Sequence, residues 1–176
     1  MGRIIIIYGV IAGVTVALLM RVAMTLFPEG GTEGVVAGFS SMIVALSFVF
    51  IGVKRYRDIE LGGVIRFWPA LGIGFAIAAI ATCFYVGAWE LYLYFTNYTF
   101  MDEYTRMALE KARVAGKTAN EIATLAKEMD GFKLLYANPI SRMAVTAMEI
   151  SPVALFMPII SAGLLRNSRF MPAKAA

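Results

Sequence analysis

The chain is predicted to be an all-α, polytopic membrane protein, with four transmembrane helices and an extramembrane helical hairpin between the third and the fourth. Three observations predict this. Four long apolar runs, residues 4–27, 34–53, 64–95 and 140–165, each match the ~20 residues a helix needs to cross about 30 Å of hydrocarbon. The composition is 60% hydrophobic and only 16% charged, too little charge to coat a water-soluble domain. Residues 96–137 break the pattern with six acidic and six basic residues, a density that keeps them out of the bilayer. In hydrocarbon every backbone polar group must be satisfied internally, so the spans are helices. The period-two alternation of a lipid-facing barrel strand is absent.

The first run follows Met1, Gly2 and Arg3, is too long for a signal-peptide core and carries Arg21 late, so it is expected to be an uncleaved anchor. It stops at Pro28, Glu29, Gly30 and Gly31. The second run ends in Lys54, Arg55, Tyr56, Arg57 and Asp58, and Gly62 with Gly63 turns the chain into the third. That run opens at Arg66, Phe67 and Trp68 and closes in aromatic residues around Trp89, Tyr92, Tyr94 and Phe95. At 1.5 Å per residue the two tryptophans stand about 31 Å apart, matching two membrane interfaces. In the insertion, Thr118 and Glu121 fit a capping box, and Ile122, Leu125 and Met129 share a face, predicting a helix over 118–129. Met101, Tyr104, Ala108 and Ala112 give the preceding stretch a weaker stripe, with Gly116 as the break. Asn138 and Pro139 then read as an N-cap with proline at the first helical position. Pro152 and Pro158 lie inside the fourth helix and are its candidate kinks.

Charge sets the expected topology. Arg3, Lys54, Arg55, Arg57, Arg66, Arg166, Arg169 and Lys174 fall on one side of a four-span arrangement, and the opposite short loop has no Lys or Arg. The positive-inside rule puts both termini and the Lys54 to Arg66 loop in the cytoplasm and residues 96–137 outside. The net charge of +4 is therefore a topology signal, not a nucleic-acid footprint. The sequence has no histidine, which removes the commonest general base and metal ligand. Its one cysteine, Cys83, lies inside the third run and is expected to serve packing. No catalytic residue, metal site or cofactor is predicted.

The candidate polar cluster is Arg21, Glu90 and Glu149. Counted from the outer ends of their helices they lie about 9, 7 and 12 Å deep. Charges at such depth need a partner or water, and an arginine can take a carboxylate through two parallel hydrogen bonds. Arg21 bridging to Glu149, with Glu90 beside it, is weighed against snorkelling of Arg21 to the interface. Lys54, Arg55, Arg57 and Arg66 form a candidate loop for lipid headgroups or a partner. Gly9 and Gly13, and Gly30, Gly34 and Gly38, have small-x-x-x-small spacing, which suits helix contact within one chain or between two.

Several strings together, Ser47 to Asp58, Gly62-Gly63, Asn138-Pro139, Glu149-Ile-Ser-Pro-Val153 and Ile160-Ser-Ala162, resemble the bacterial domain-of-unknown-function family 4199. Tyr56-Arg57-Asp58 and Glu149-x-x-Pro152-Val153 are the most specific of them, and Val53 departs mildly from the family's Gly-Ile-Lys. The resemblance spans nearly the whole chain and implies a four-span bacterial inner-membrane protein with no established activity. The expected role is non-enzymatic: a structural, assembly or partner-binding component whose partners are the bilayer and a second copy or another membrane protein. The alternative is a small oligomeric transporter or channel coupling protons or cations at Glu149 and Arg21. An enzyme ranks third and would need a lipid-soluble substrate.

Overall fold

The computed structural model describes residues 1–28 and 31–173, which form α1 (Gly2–Leu26), α2 (Gly31–Glu60), α3 (Phe67–Phe95), α4 (Phe100–Val114), α5 (Ala119–Ala137) and α6 (Pro139–Leu165). No strand occurs among the described residues. Glu29 and Gly30 of the expected first turn, and Lys174 of the basic set, lie outside the described residues. Helices α1, α2, α3 and α6 are long and apolar enough to cross a membrane, and within their most apolar stretches only 22–39% of residues are buried. Ile6, Leu18, Val36, Ile43 and Phe156 are among the large apolar side chains left exposed. Helices apolar around most of their circumference, with only a narrow buried seam, suit a hydrocarbon surround rather than water.

The largest departures from the predicted boundaries are at the ends of α2 and α5. Helix α2 runs on through the basic stretch to Glu60 rather than ending at Val53. An ion pair between Lys54 and Asp58, one turn apart, favours the helix there, and no breaker occurs before Gly62 and Gly63, which take φ values of +64° and +93°. Helix α5 extends to Ala137 rather than Met129, because Phe132, Leu134 and Leu135 are compatible with helix and the first firm stop is Asn138 before Pro139. The capping box at Thr118 and Glu121 forms as predicted, and Gly116 breaks α4 from α5 at φ +72°. The side chain of Asn138 accepts from the N–H groups of Ile140 (2.9 Å) and Ser141 (3.3 Å), which caps α6.

The chain divides into two compact units, one of residues Met1–Gly87 and Ala147–Ala176, the other of Ala88–Thr146. In the first, Ala12, Val16, Ala45, Leu46, Ile77 and Ile150 are fully buried. Small residues set how closely these helices approach. A Cβ on Gly13 of α1 would lie 2.5 Å from the Phe84 ring of α3, and one on Gly52 of α2 would lie 2.7 Å from Ile77. Likewise Gly74 of α3 leaves room for Pro158 of α6, at 2.9 Å. Gly9 and Gly13 thus serve contact within the chain, whereas a Cβ on Gly38 would meet nothing within 4 Å. Pro152 is exposed, and the helix continues through both prolines. Cys83, expected in packing, is exposed on α3.

In the same unit Arg57 is completely buried. Its guanidinium donates to Asp58 (2.7 Å) and to the carbonyls of Leu165 (3.5 Å), Phe170 (2.9 Å) and Met171. The ring of Phe170 packs edge-on against Phe50 at 6.3 Å. Arg57 therefore latches the residues after α6 onto α2, through the carbonyl of Leu165 at the end of α6 and those of Phe170 and Met171 in the segment that follows.

Gly13→Ala is expected to lower the stability of the detergent-solubilised protein by about 1–3 kcal/mol, the usual cost of overpacking. Gly38→Ala should leave it unchanged, and thermal unfolding of the two variants beside the parent checks the contrast.

Candidate functional site

The unit of residues Ala88–Thr146 holds the end of α3, the α4–α5 pair and the start of α6. Helix α3 closes in a tight turn, where the Thr96 hydroxyl donates to the Tyr92 carbonyl (3.0 Å) and the Tyr98 N–H donates to the Leu93 carbonyl (2.8 Å). Asn97 and Tyr98 both take positive φ, 50° and 58°. Two successive non-glycine residues in the left-handed region cost on the order of 1–3 kcal/mol each and persist only where surrounding contacts hold them. The contact that holds Tyr98 is the guanidinium of Arg142, 4.9 Å from the centre of its ring.

Arg142 is the hub of this unit. It is 5% exposed, and it grips Glu90 of α3 in a bidentate pair, Nε to Oε1 at 2.7 Å and Nη2 to Oε2 at 2.6 Å. Its Nη1 donates to the Tyr136 carbonyl at 2.8 Å, in the last turn of α5, where carbonyls lack helical partners. One side chain thus joins the end of α3, the end of α5 and the first turn of α6. Nearby, Trp89 packs edge-on against Phe100 (4.8 Å between ring centres) and tilted against Tyr92 (5.4 Å). The buried indole N–H of Trp89 has no acceptor among the described residues.

A cavity of about 400 Å³ opens beside this hub. Leu93, Met101, Ala137 and Pro139 supply apolar wall, and Tyr98, Asp102, Lys133, Tyr136 and Arg142 supply polar groups. Lys133 of α5 and Asp102 of α4 form an ion pair at 2.8 Å, with the aspartate 73% exposed.

The predicted cluster is divided differently. Glu90, expected beside Arg21, is taken by Arg142. Glu149 lies exposed on α6 and accepts a hydrogen bond from the buried Tyr85 hydroxyl at 3.0 Å. Arg21 is exposed on α1. Sequence reasoning missed Arg142 because it lies in the first turn of its helix, where a basic residue reads as solvated. The available signal was that Glu90 lies five residues before the end of α3 and Arg142 three after the start of α6. Of the four basic residues assigned to a headgroup loop, Arg55 and Arg66 are exposed, Lys54 pairs with Asp58, and Arg57 is buried. Arg57 does not join the others at the surface, because Asp58 and the carbonyls of Leu165, Phe170 and Met171 take its guanidinium inside the protein.

A family model described as "Protein of unknown function (DUF4199)" matches residues 7–167. The chain belongs to that family. No curated protein and no solved structure matches it. Three of the strings that resembled the family fall at joints of this structure: Arg57-Asp58 at the latch, Asn138-Pro139 at the cap of α6, and Glu149 at its bond with Tyr85.

At the start of α5, the backbone N–H and the hydroxyl of Thr118 each donate to the Glu121 carboxylate at 2.8 Å, holding its pKa below the ordinary value of 4.5. A depressed carboxylate stabilises the folded form above its unfolded pKa, and that contribution is lost as pH falls through the folded value. Hydrogen exchange in the first turn of α5 should therefore be slow at pH 6 and, after correction for intrinsic rates, lose protection progressively below pH ~4.5. Glu121→Gln should abolish this pH dependence.

Proposed function

We propose that this protein is a multi-pass component of the bacterial inner membrane that binds a partner through the α4–α5 hairpin, with no enzymatic step. The observation that carries the reading is the Arg142 hub. A bidentate pair to Glu90 and a bond to the Tyr136 carbonyl fasten the two ends of a charged 42-residue insertion, 96–137, so that it is an ordered helix pair and not a slack connector. The apolar exteriors of α1, α2, α3 and α6 support insertion in lipid. The distribution of Lys and Arg supports cytoplasmic termini and an extracytoplasmic hairpin. At the turn of the hairpin Val114 is 81% exposed, an apolar side chain on a charged element and a natural contact point.

A second reading has one observation in its favour. The Glu149 carboxylate sits exposed on an apolar helix with the Tyr85 hydroxyl as a hydrogen-bond donor, which suits a proton- or cation-coupled site completed by other copies and Arg21. Under that reading Glu149→Gln abolishes pH-dependent flux in proteoliposomes while the protein stays folded.

A photo-crosslinking residue at position 114, activated in native membranes, is expected to capture one partner protein in stoichiometric yield, with a reporter fused at Ala115 reading as extracytoplasmic and one at Ala176 as cytoplasmic. A cytoplasmic signal at Ala115, or no protein adduct at position 114, would overturn the proposal.

A further inference from the structure

We infer that the cavity beside Arg142 binds the headgroup of a zwitterionic phospholipid, one bearing a phosphate and a primary ammonium. The inference rests on the membrane reading above and adds a ligand to it. The volume, about 400 Å³, lies within the range of small-molecule sites, and the lining combines apolar residues with a few polar and charged ones.

The charges decide which headgroup fits. Arg142 and Glu90 neutralise one another at 2.6–2.7 Å, so that pair adds no net charge to the cavity. What remains is Lys133 beside Asp102, one charge of each sign on two different helices, 36% and 73% exposed. An exposed pair of this kind is weak, so each partner can be exchanged for a ligand group at little cost. A phosphate takes Lys133 and the N–H groups of Arg142 not used by Glu90 and Tyr136. The ligand's ammonium takes Asp102. An anionic headgroup without an ammonium would leave Asp102 facing the phosphate unpaired.

The surroundings specify a lipid rather than a soluble phosphate ester. In this same unit Tyr94 and Phe95 at the end of α3 and Ile140 at the start of α6 are 65%, 73% and 79% exposed, and they neighbour the cavity-lining residues Leu93 and Pro139 along the chain. Exposed aromatic and aliphatic side chains at the ends of spanning helices belong at the headgroup boundary, where acyl chains can lie along them. The left-handed turn that fixes Tyr98 at the cavity wall keeps this edge preformed.

The test is lipid retention. The protein is extracted from membranes in mild detergent, exchanged against equal phosphatidylethanolamine and phosphatidylglycerol, and read by native mass spectrometry. Phosphatidylethanolamine should be retained about threefold over phosphatidylglycerol, as expected for one exposed charged contact. Lys133→Ala and Asp102→Ala should each lower its retention about threefold, with Lys133→Arg restoring it and Lys117→Ala without effect. Unchanged melting temperatures confirm that the exposed substitutions leave the fold intact. Equal retention of the two lipids, or retention indifferent to both alanine variants, would overturn the site. Displacement by soluble glycerophosphoethanolamine at the lipid's own concentration would overturn the lipid assignment. Cysteine labelling of membranes from the same cells counts the crossings independently, so four crossings with no selective lipid would reject the site alone, and fewer than four would reject the membrane reading as well.

Discussion

Burying an arginine is expensive unless another charge and hydrogen-bond acceptors meet it, and around Arg142 both are present. The guanidinium gives two hydrogen bonds to Glu90, one to the terminal turn of α5, and a face to the Tyr98 ring. Each of those partners belongs to a segment that would otherwise be weakly specified: the end of an apolar helix, the end of a charged one, and a turn of two left-handed residues. The order of residues Ala88–Thr146 depends on that one side chain, and so do the cavity and the presentation of the hairpin.

The other unit follows a different logic. Its helices are apolar on nearly every face, so hydrophobicity alone cannot choose which faces meet. Steric fit chooses instead, through missing side chains at Gly13, Gly52 and Gly74 that admit Phe84, Ile77 and Pro158. Arg57 supplies the polar counterpart, a buried cation spent on backbone carbonyls rather than on a ligand. The two buried arginines therefore do related work, each pairing with a carboxylate and tying backbone carbonyls of a distant segment to its own helix.

Much of this was legible from residue patterns. The four long helices follow from run length, and the start of α5 from Thr118 and Glu121, whose chemistry is local. The start of α6 follows in the same way from Asn138 and Pro139. The pairing of charges was not legible, because it depends on which helix ends come together. Depth along a helix places Glu90 and Arg142 at matching ends, but a basic residue in a first turn looks solvated until the acceptors around it are known. Arg57 was misread for the same reason, since its acceptors, the carbonyls of Leu165, Phe170 and Met171, are more than a hundred residues away in the chain. The extension of α2 past Val53 was missed because composition marks the basic stretch as loop, whereas the Lys54–Asp58 pair makes it helix.

The most direct measurement of the Arg142 hub is a double-mutant cycle on Glu90→Gln and Arg142→Gln, read by reversible unfolding in detergent. Each single substitution strands a buried charge and should cost about 3–5 kcal/mol, while the double variant should cost no more than the worse single one. Losses that simply add, or single variants as stable as the parent, would contradict the assignment of this pair as the interaction on which the hairpin unit depends.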